Sequence, residues 1–160
     1  MRRYNKIMFV CTDNTAQSLM AEMICKNMST DEALEIVSRG LVVLFPEPIN
    51  PKAEVVLINH GITIQERTTI ELKQSDMDEG TLIFTMNREQ KEKLTRDYDV
   101  VTNIYTLKGF IEEEGDIMDP YGGTLVDYEE CYGELSRIIK KIVIKLKKTY
   151  GLQDAEALVE

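Results

Sequence analysis

Tryptophan is absent from this chain, histidine occurs once and cysteine three times in 160 residues. A lone histidine, His60, argues against a multi-histidine metal centre and gives a serine–histidine triad little to work with. The cysteines, at 11, 25 and 131, are odd in number and far apart. That spacing fits reduced thiols, not a disulfide framework or a zinc site. Positive charge is scarce: 19 Lys and Arg face 28 Asp and Glu, a formal net charge of −9 with a pI near 4.8. A general nucleic-acid binder would carry a basic face, and anionic membranes are disfavoured too. No apolar run reaches the length that spans a bilayer. Met1 to Lys6 is basic, yet Cys11 and a polar loop follow too soon for a secretory leader. The expectation is a cytoplasmic protein without metal, cofactor, nucleic-acid or membrane partner.

What is present is a regular alternation of apolar runs and amphipathic stretches. The length predicts one domain over residues 1–150, with a C-terminal tail at 151–160. Lys6 to Val10 reads as a first strand, and Ser18 to about Met28 as a helix with Cys25 on its apolar side. Ala33 to Ser38 alternates as a second strand. Asn50-Pro51 is a helix start, an Asn cap followed by Pro at the first helical position, and Gly61 closes that helix. His60, beside the helix end, reads as a surface residue suited to the dipole. Thr81 to Met86 is nearly continuous in apolar residues, as a central parallel strand requires. Asn87 caps a helix from Arg88 to Thr95, and Val100 to Leu107 holds the last strand. A short helical turn is expected at Leu107–Ile111, then a long helix from Asp127 to about Tyr150. The predicted fold is α/β: three layers, with a four-stranded parallel doubly wound sheet and helices on both faces.

Ligands in such sheets bind beyond the carboxyl ends of the strands, and the first strand ends at Cys11. A polar loop and a helix start follow at once: Thr12-Asp13-Asn14-Thr15-Ala16-Gln17-Ser18. Helix N-termini leave backbone N–H groups unpaired and carry partial positive charge, so they hold anions and favour thiolates. Cys11 is therefore the candidate nucleophile, and the amides from Thr12 to Ser18 are the candidate oxyanion donors. Ser18 could hydrogen-bond the thiolate, and Asn14 could hold the loop's shape.

Strand, Cys-x-x-Asn-x-x-x-Ser and then Met-Ala-Glu resembles the phosphate-binding loop of the low-molecular-weight protein tyrosine phosphatases. The resemblance spans roughly residues 6 to 149. The family pattern is Cys, five residues, Arg, Ser, with Gly two after the Cys and a second Cys before the Arg. Here those three variable places hold Gln17, Asp13 and Ala16. Family members also often carry a histidine a few residues past the Gly61 position, where this chain reads Gln65-Glu66-Arg67. Cys11-Thr12-Asp13-Asn14-Thr15, Thr106-Leu107-Lys108 and Asp119-Pro120-Tyr121-Gly122-Gly123 are similar to a Gram-positive branch that includes protein arginine phosphatases. In that branch the threonine matching Thr15 favours phosphoarginine.

The resemblance implies a phosphatase that works through a phosphocysteine, with a phosphorylated protein or small phosphate ester as partner. It implies that Asp119 protonates the leaving group and that Tyr121 walls the substrate pocket. Gln17 lacks the charge and the two-pronged grip of a guanidinium, which implies weak turnover. Asp13 adds negative charge beside an anion site. Two other readings stay open. One is an inactive relative that binds phosphate or protein. The other is a phosphocysteine carrier like those of bacterial sugar-transport systems, though those domains lack Asp-Pro-Tyr. Arsenate reductases of this fold need further redox cysteines near residues 80–95, where this chain has none.

Overall fold

A computed structural model describes residues 4–99 and 103–151. Four strands form one parallel sheet: β1 (Lys6–Cys11), β2 (Glu35–Gly40), β3 (Thr81–Thr85) and β4 (Ile104–Thr106), in the order β2-β1-β3-β4. Cys11 pairs with Gly40, and Phe9 lies between Ser38 and Phe84. The helices are α1 (Gln17–Met28), α2 (Pro51–Asn59), α3 (Arg88–Asp97), α4 (Leu107–Phe110) and α5 (Leu125–Leu146). This is the expected three-layer, doubly wound architecture.

Side chains alternate across a strand, and β1 is apolar on both faces. Ile7, Phe9 and Cys11 join the larger core, with residues of α1, α2 and α5. Met8 and Val10 join the smaller one, with Leu94 of α3, Leu72 and Leu41. Phe9 stacks on Phe84, and Phe110 meets Phe84 edge-on. Along α5, Leu135, Ile138, Ile139 and Ile142 are fully or almost fully buried. They keep one stripe of helical spacing against the sheet, each worth about 1.5–3 kcal/mol of burial.

Several boundaries depart from expectation, the second strand among them: it runs Glu35–Gly40, two residues later than the alternation at Ala33–Ser38 suggests. The first helix starts one residue earlier, at Gln17. The long helix starts at Leu125, because Thr124 caps it and Asp127 completes a capping box. It ends at Leu146 and passes into a wider turn at Lys147–Gly151. The part of the fourth-strand prediction at Val100–Thr102 and the predicted tail beyond Gly151 lie outside the described residues.

Connections leave β1 and β3 in opposite directions, so the topological switch point falls between them. The loop after β1 sits there. β2 must pass close beneath it: a Cβ on Gly40 would lie 2.7 Å from Val43 Cγ2 and 2.9 Å from the Asp13 carbonyl carbon. Glycine is needed at 40 for that approach.

All three cysteines are free and buried. Burial pushes Cys25 and Cys131 up to about 12 from an ordinary 9.0. Each stays a neutral thiol when folded, so its contribution to stability is complete below about pH 9. It is lost as the pH climbs toward 12. A denaturant midpoint that falls across this alkaline span, less steeply after Cys25→Ala, is the expected result.

Candidate active site

The segment after β1 turns back on itself through Asn14, a non-glycine residue with φ of 64°. Asparagine tolerates the left-handed region better than most side chains. Here its side chain is also fixed from three sides. Asn14 Nδ2 donates to Ser18 Oγ at 2.8 Å and to Ser38 Oγ at 2.9 Å, and Asn14 Oδ1 accepts from the Ile70 amide at 3.0 Å. The turn is thereby locked around the end of β1.

Cys11 lies at the centre of that turn, with 2% of its surface exposed. Its Sγ accepts from the Asn14 amide at 3.3 Å and lies 3.0 Å from Ser18 Oγ. Ser18 Oγ already accepts from Asn14 Nδ2, so its own proton points either at the sulfur or at the more distant Arg39 carbonyl, 3.5 Å away. Burial pushes the thiol pKa up. The Ser18 hydroxyl and amide pull it down, Asp13 pushes it up, and the Asn14 amide pulls it down, leaving it above the ordinary value. An anion that displaces no donor but adds charge must therefore be met by the backbone. Helix α1 starts at Gln17, and its N-cap residue, Ala16, gives it no side-chain cap. By contrast α2, α3 and α5 are capped by Asn50, Asn87 and Thr124. The amides of the first turn of α1 are thus left for an occupant of the loop.

Behind the loop runs a chain of buried polar groups. Ser38 Oγ donates to Glu22 Oε1 at 2.6 Å, and Arg67 Nη1 donates to both Glu22 oxygens at 3.0 and 3.2 Å. Lys26 adds an ion pair at 2.7 Å. Arg67 Nη2 also reaches Asn14 Oδ1 at 3.5 Å. Arg67, Glu22, Ser38, Asn14, Ser18 and Cys11 therefore form one continuous network. Arg67 Nε is buried and has no partner among the described residues.

The remaining loop residues are tied to the surrounding elements. Asp13 Oδ1 accepts from the Thr15 amide at 3.0 Å and from Thr15 Oγ1 at 2.9 Å. Thr12 Oγ1 accepts from Gln90 Nε2 at 3.3 Å, and Gln90 Oε1 takes the Met86 amide at the end of β3. The Thr15 carbonyl accepts from the Asn50 amide at 3.0 Å, while Asn50 Nδ2 donates to the Tyr128 hydroxyl. Gln17 Nε2 donates to the Met118 carbonyl at 2.9 Å.

That last bond ties the Asp119 segment to the first residue of α1, and further bonds tie it to the end of β3. Ile117 N–H donates to the Met86 carbonyl, and Asp116 Oδ1 takes the Arg88 amide. Cys131 Sγ also donates to the Met118 carbonyl. Asp119 is exposed and accepts the Tyr121 amide at 3.0 Å, while Pro120 is buried. Tyr121 is 80% exposed. Burial holds the Tyr128 hydroxyl pKa up, its hydrogen bond with Asn50 pulls it down, and the Asp119 and Asp13 carboxylates push it up.

Glu22, Ser38, Arg67 and Gln90 are the residues that sequence reading did not assign to the site. Glu22 left a trace: it stands one helical turn after Ser18 and among apolar neighbours, where a charge needs a partner. Arg67, which is 53 positions from Asn14, left none.

A parallel doubly wound sheet with a cysteine at the switch point, inside a turn opening on an uncapped helix, places that cysteine where such sheets bind ligands. Residues 6–152 match the family model described as low molecular weight phosphotyrosine protein phosphatase, and the chain belongs to that family. It is 33% identical over 137 residues to the low molecular weight protein-tyrosine-phosphatase PtpB of Staphylococcus haemolyticus, covering 86% of this chain and 96% of that protein. The PtpB of Staphylococcus aureus is 31% identical over 138 residues, with 86% and 96% covered. Among solved structures, the low molecular weight protein tyrosine phosphatase from T. tengcongensis has a TM-score of 0.82 at 34% identity, covering 88% of this chain and 99% of that one. The YwlE arginine phosphatase from Geobacillus stearothermophilus has a TM-score of 0.79 at 29% identity, covering 89% and 93%.

Proposed function

We propose that the chain is a cytoplasmic protein phosphatase that removes phosphoryl groups from tyrosine or arginine side chains, slowly, through a phosphocysteine. The supporting observation is the setting of Cys11: a thiol at the switch point, bonded to Ser18 and Asn14, facing the uncapped start of α1. Three free, separated cysteines suit a reducing compartment, and among the described residues no helix is long and apolar enough to cross a membrane.

In the proposed reaction the Cys11 thiolate attacks phosphorus. A sulfur–phosphorus bond forms as the bond from phosphorus to the leaving oxygen or nitrogen breaks. Asp119 gives its proton to that leaving atom. Water then attacks phosphorus, Asp119 takes a proton back, the sulfur–phosphorus bond breaks, and inorganic phosphate departs. The amides of the Thr12–Ser18 segment that are not already held, as Asn14's is by Cys11 and Thr15's by Asp13, take the non-bridging oxygens, and Tyr121 lines the approach. Desolvation works against the thiolate, so Ser18 and Asn14 have to offset it at the moment of attack.

A second reading, an inactive relative that only binds a phosphorylated ligand, is favoured by one observation: the Gln17 amide is committed to Met118. Phosphate release from an aryl phosphate and from a phosphoarginine peptide separates the two. Release by the native chain and none by Cys11→Ala is the expected result. Equal release by both would remove Cys11 from any catalytic role.

A further inference from the structure

The charges around the loop are out of balance for a dianionic ligand. Gln17 brings none. Among the described residues bonded to the loop, Arg67 is the one cationic side chain, and Glu22 faces its guanidinium at 3.0 Å. Lys52 donates to the Gly123 carbonyl and lies over the Tyr128 ring. Against these stand two carboxylates. Asp119 is exposed and follows Met118, whose carbonyl takes the Gln17 amide, and Asp13 is within the loop itself, half-buried.

Asp13 is held in place. Its Oδ1 takes both Thr15 donors, which stops the side chain from swinging out to solvent. Its Oδ2 has no partner among the described residues. A fixed carboxylate with one open oxygen beside a phosphoryl site repels a ligand that is negative throughout. A phosphate monoester on tyrosine carries about −1.5 to −2 at neutral pH, and the neutral ring behind it supplies no compensation. A phosphorylated guanidine differs in one respect: its cationic group is bonded directly to phosphorus. Seating the phosphoryl group over Cys11 carries that cation to the loop rim, where a carboxylate accepts its N–H groups.

Resting on the phosphatase reading, we infer that Asp13 is a specificity-determining residue: its open oxygen holds the guanidinium of an N-phosphorylated arginine and turns aryl phosphates away. The bland role for Asp13 is to shape the turn through Thr15. Asparagine keeps that role, because its Oδ1 still accepts from the Thr15 amide, and loses the charge.

The test measures binding, which does not depend on turnover. The full chain with Cys11→Ala is titrated with one peptide carrying phosphoarginine and with the same peptide carrying phosphotyrosine, then again with Asp13→Asn added. The phosphoarginine peptide should bind about tenfold or more tightly in the parent, the size of one hydrogen bond to a charged group. Asp13→Asn should weaken it and tighten the phosphotyrosine peptide, erasing the preference. A parent that prefers phosphotyrosine overturns the inference, whatever the fate of the variant. So does a variant that shifts both ligands by one factor, or a parent that binds neither. Phosphate release by the native chain is scored separately. The expected preference without release would retain Asp13's role and reject only the phosphatase reading.

Discussion

Gln17→Arg should raise the rate of phosphate release by about 10²–10³-fold, the size of effect seen when one preorganised donor to a developing oxyanion is gained or lost. Position 17 is the first residue of α1 and is buried against the Asp119 segment. Its side chain starts within reach of the loop, but the amide is spent on the Met118 carbonyl. A guanidinium there has donors enough for both jobs: one N–H for Met118 and a fork for two phosphoryl oxygens. It also supplies a positive charge where Asp13 and burial now oppose the thiolate. Were the guanidinium to leave Met118 altogether, the cost would be about 1 kcal/mol, and Cys131 still donates to the same carbonyl. Stability should therefore change little while kcat rises. Gln17→Lys, with charge but no fork, should recover less. Steady-state kinetics on an aryl phosphate read the effect, and adding Asp13→Gly should raise that substrate's rate again. An unchanged rate in Gln17→Arg would mean that something other than the missing cation limits turnover.

Arg67→Met should lower stability by about 3 kcal/mol, roughly the cost of leaving one member of a buried ion pair alone. Only 3% of the Glu22 side chain is exposed, and Arg67 is its main buried counter-charge. Lys26, half exposed, offers partial relief, which places the expected cost at the low end for such pairs. For a chain of this length the melting temperature should fall by about 10 °C. Activity should fall as well, because Ser38 and Asn14 lose the group that orients them and the loop loses its brace. Glu22→Gln combined with Arg67→Met should be less destabilised than the two single changes added together, since no uncompensated charge then remains. A melting temperature within a degree or two of the native value in Arg67→Met would show that the network is held by its neutral members alone.

The strand-and-helix order was legible because β1 and β3 are apolar on both faces and the helices announce themselves by capping residues. Asn50-Pro51 and Asn87 start α2 and α3 where expected. The boundary of α5 was missed by two residues because Asp127 reads as the first acidic residue of a helix, while the structure uses it three residues in, as the partner of Thr124. Within the site, the thiol, the serine and the asparagine were visible because one short segment holds them in order. Arg67 and Gln90 were not, since each reaches the loop through tertiary packing across separate elements, and local spacing has no record of that; Glu22 showed only as a charge one helical turn after Ser18. Gln17 was expected among the phosphate ligands. Its observed partner, Met118, lies 101 positions along the chain, a pairing that only the folded topology creates.

Asn14 is pinned by Ser18, Ser38 and the Ile70 amide, all of them protein groups. The shape of the turn is therefore set before any guest arrives. Loading the site should leave backbone order parameters from Cys11 to Ser18 nearly unchanged. The entropy usually surrendered when a flexible loop closes on its ligand has, in this chain, already been given up during folding.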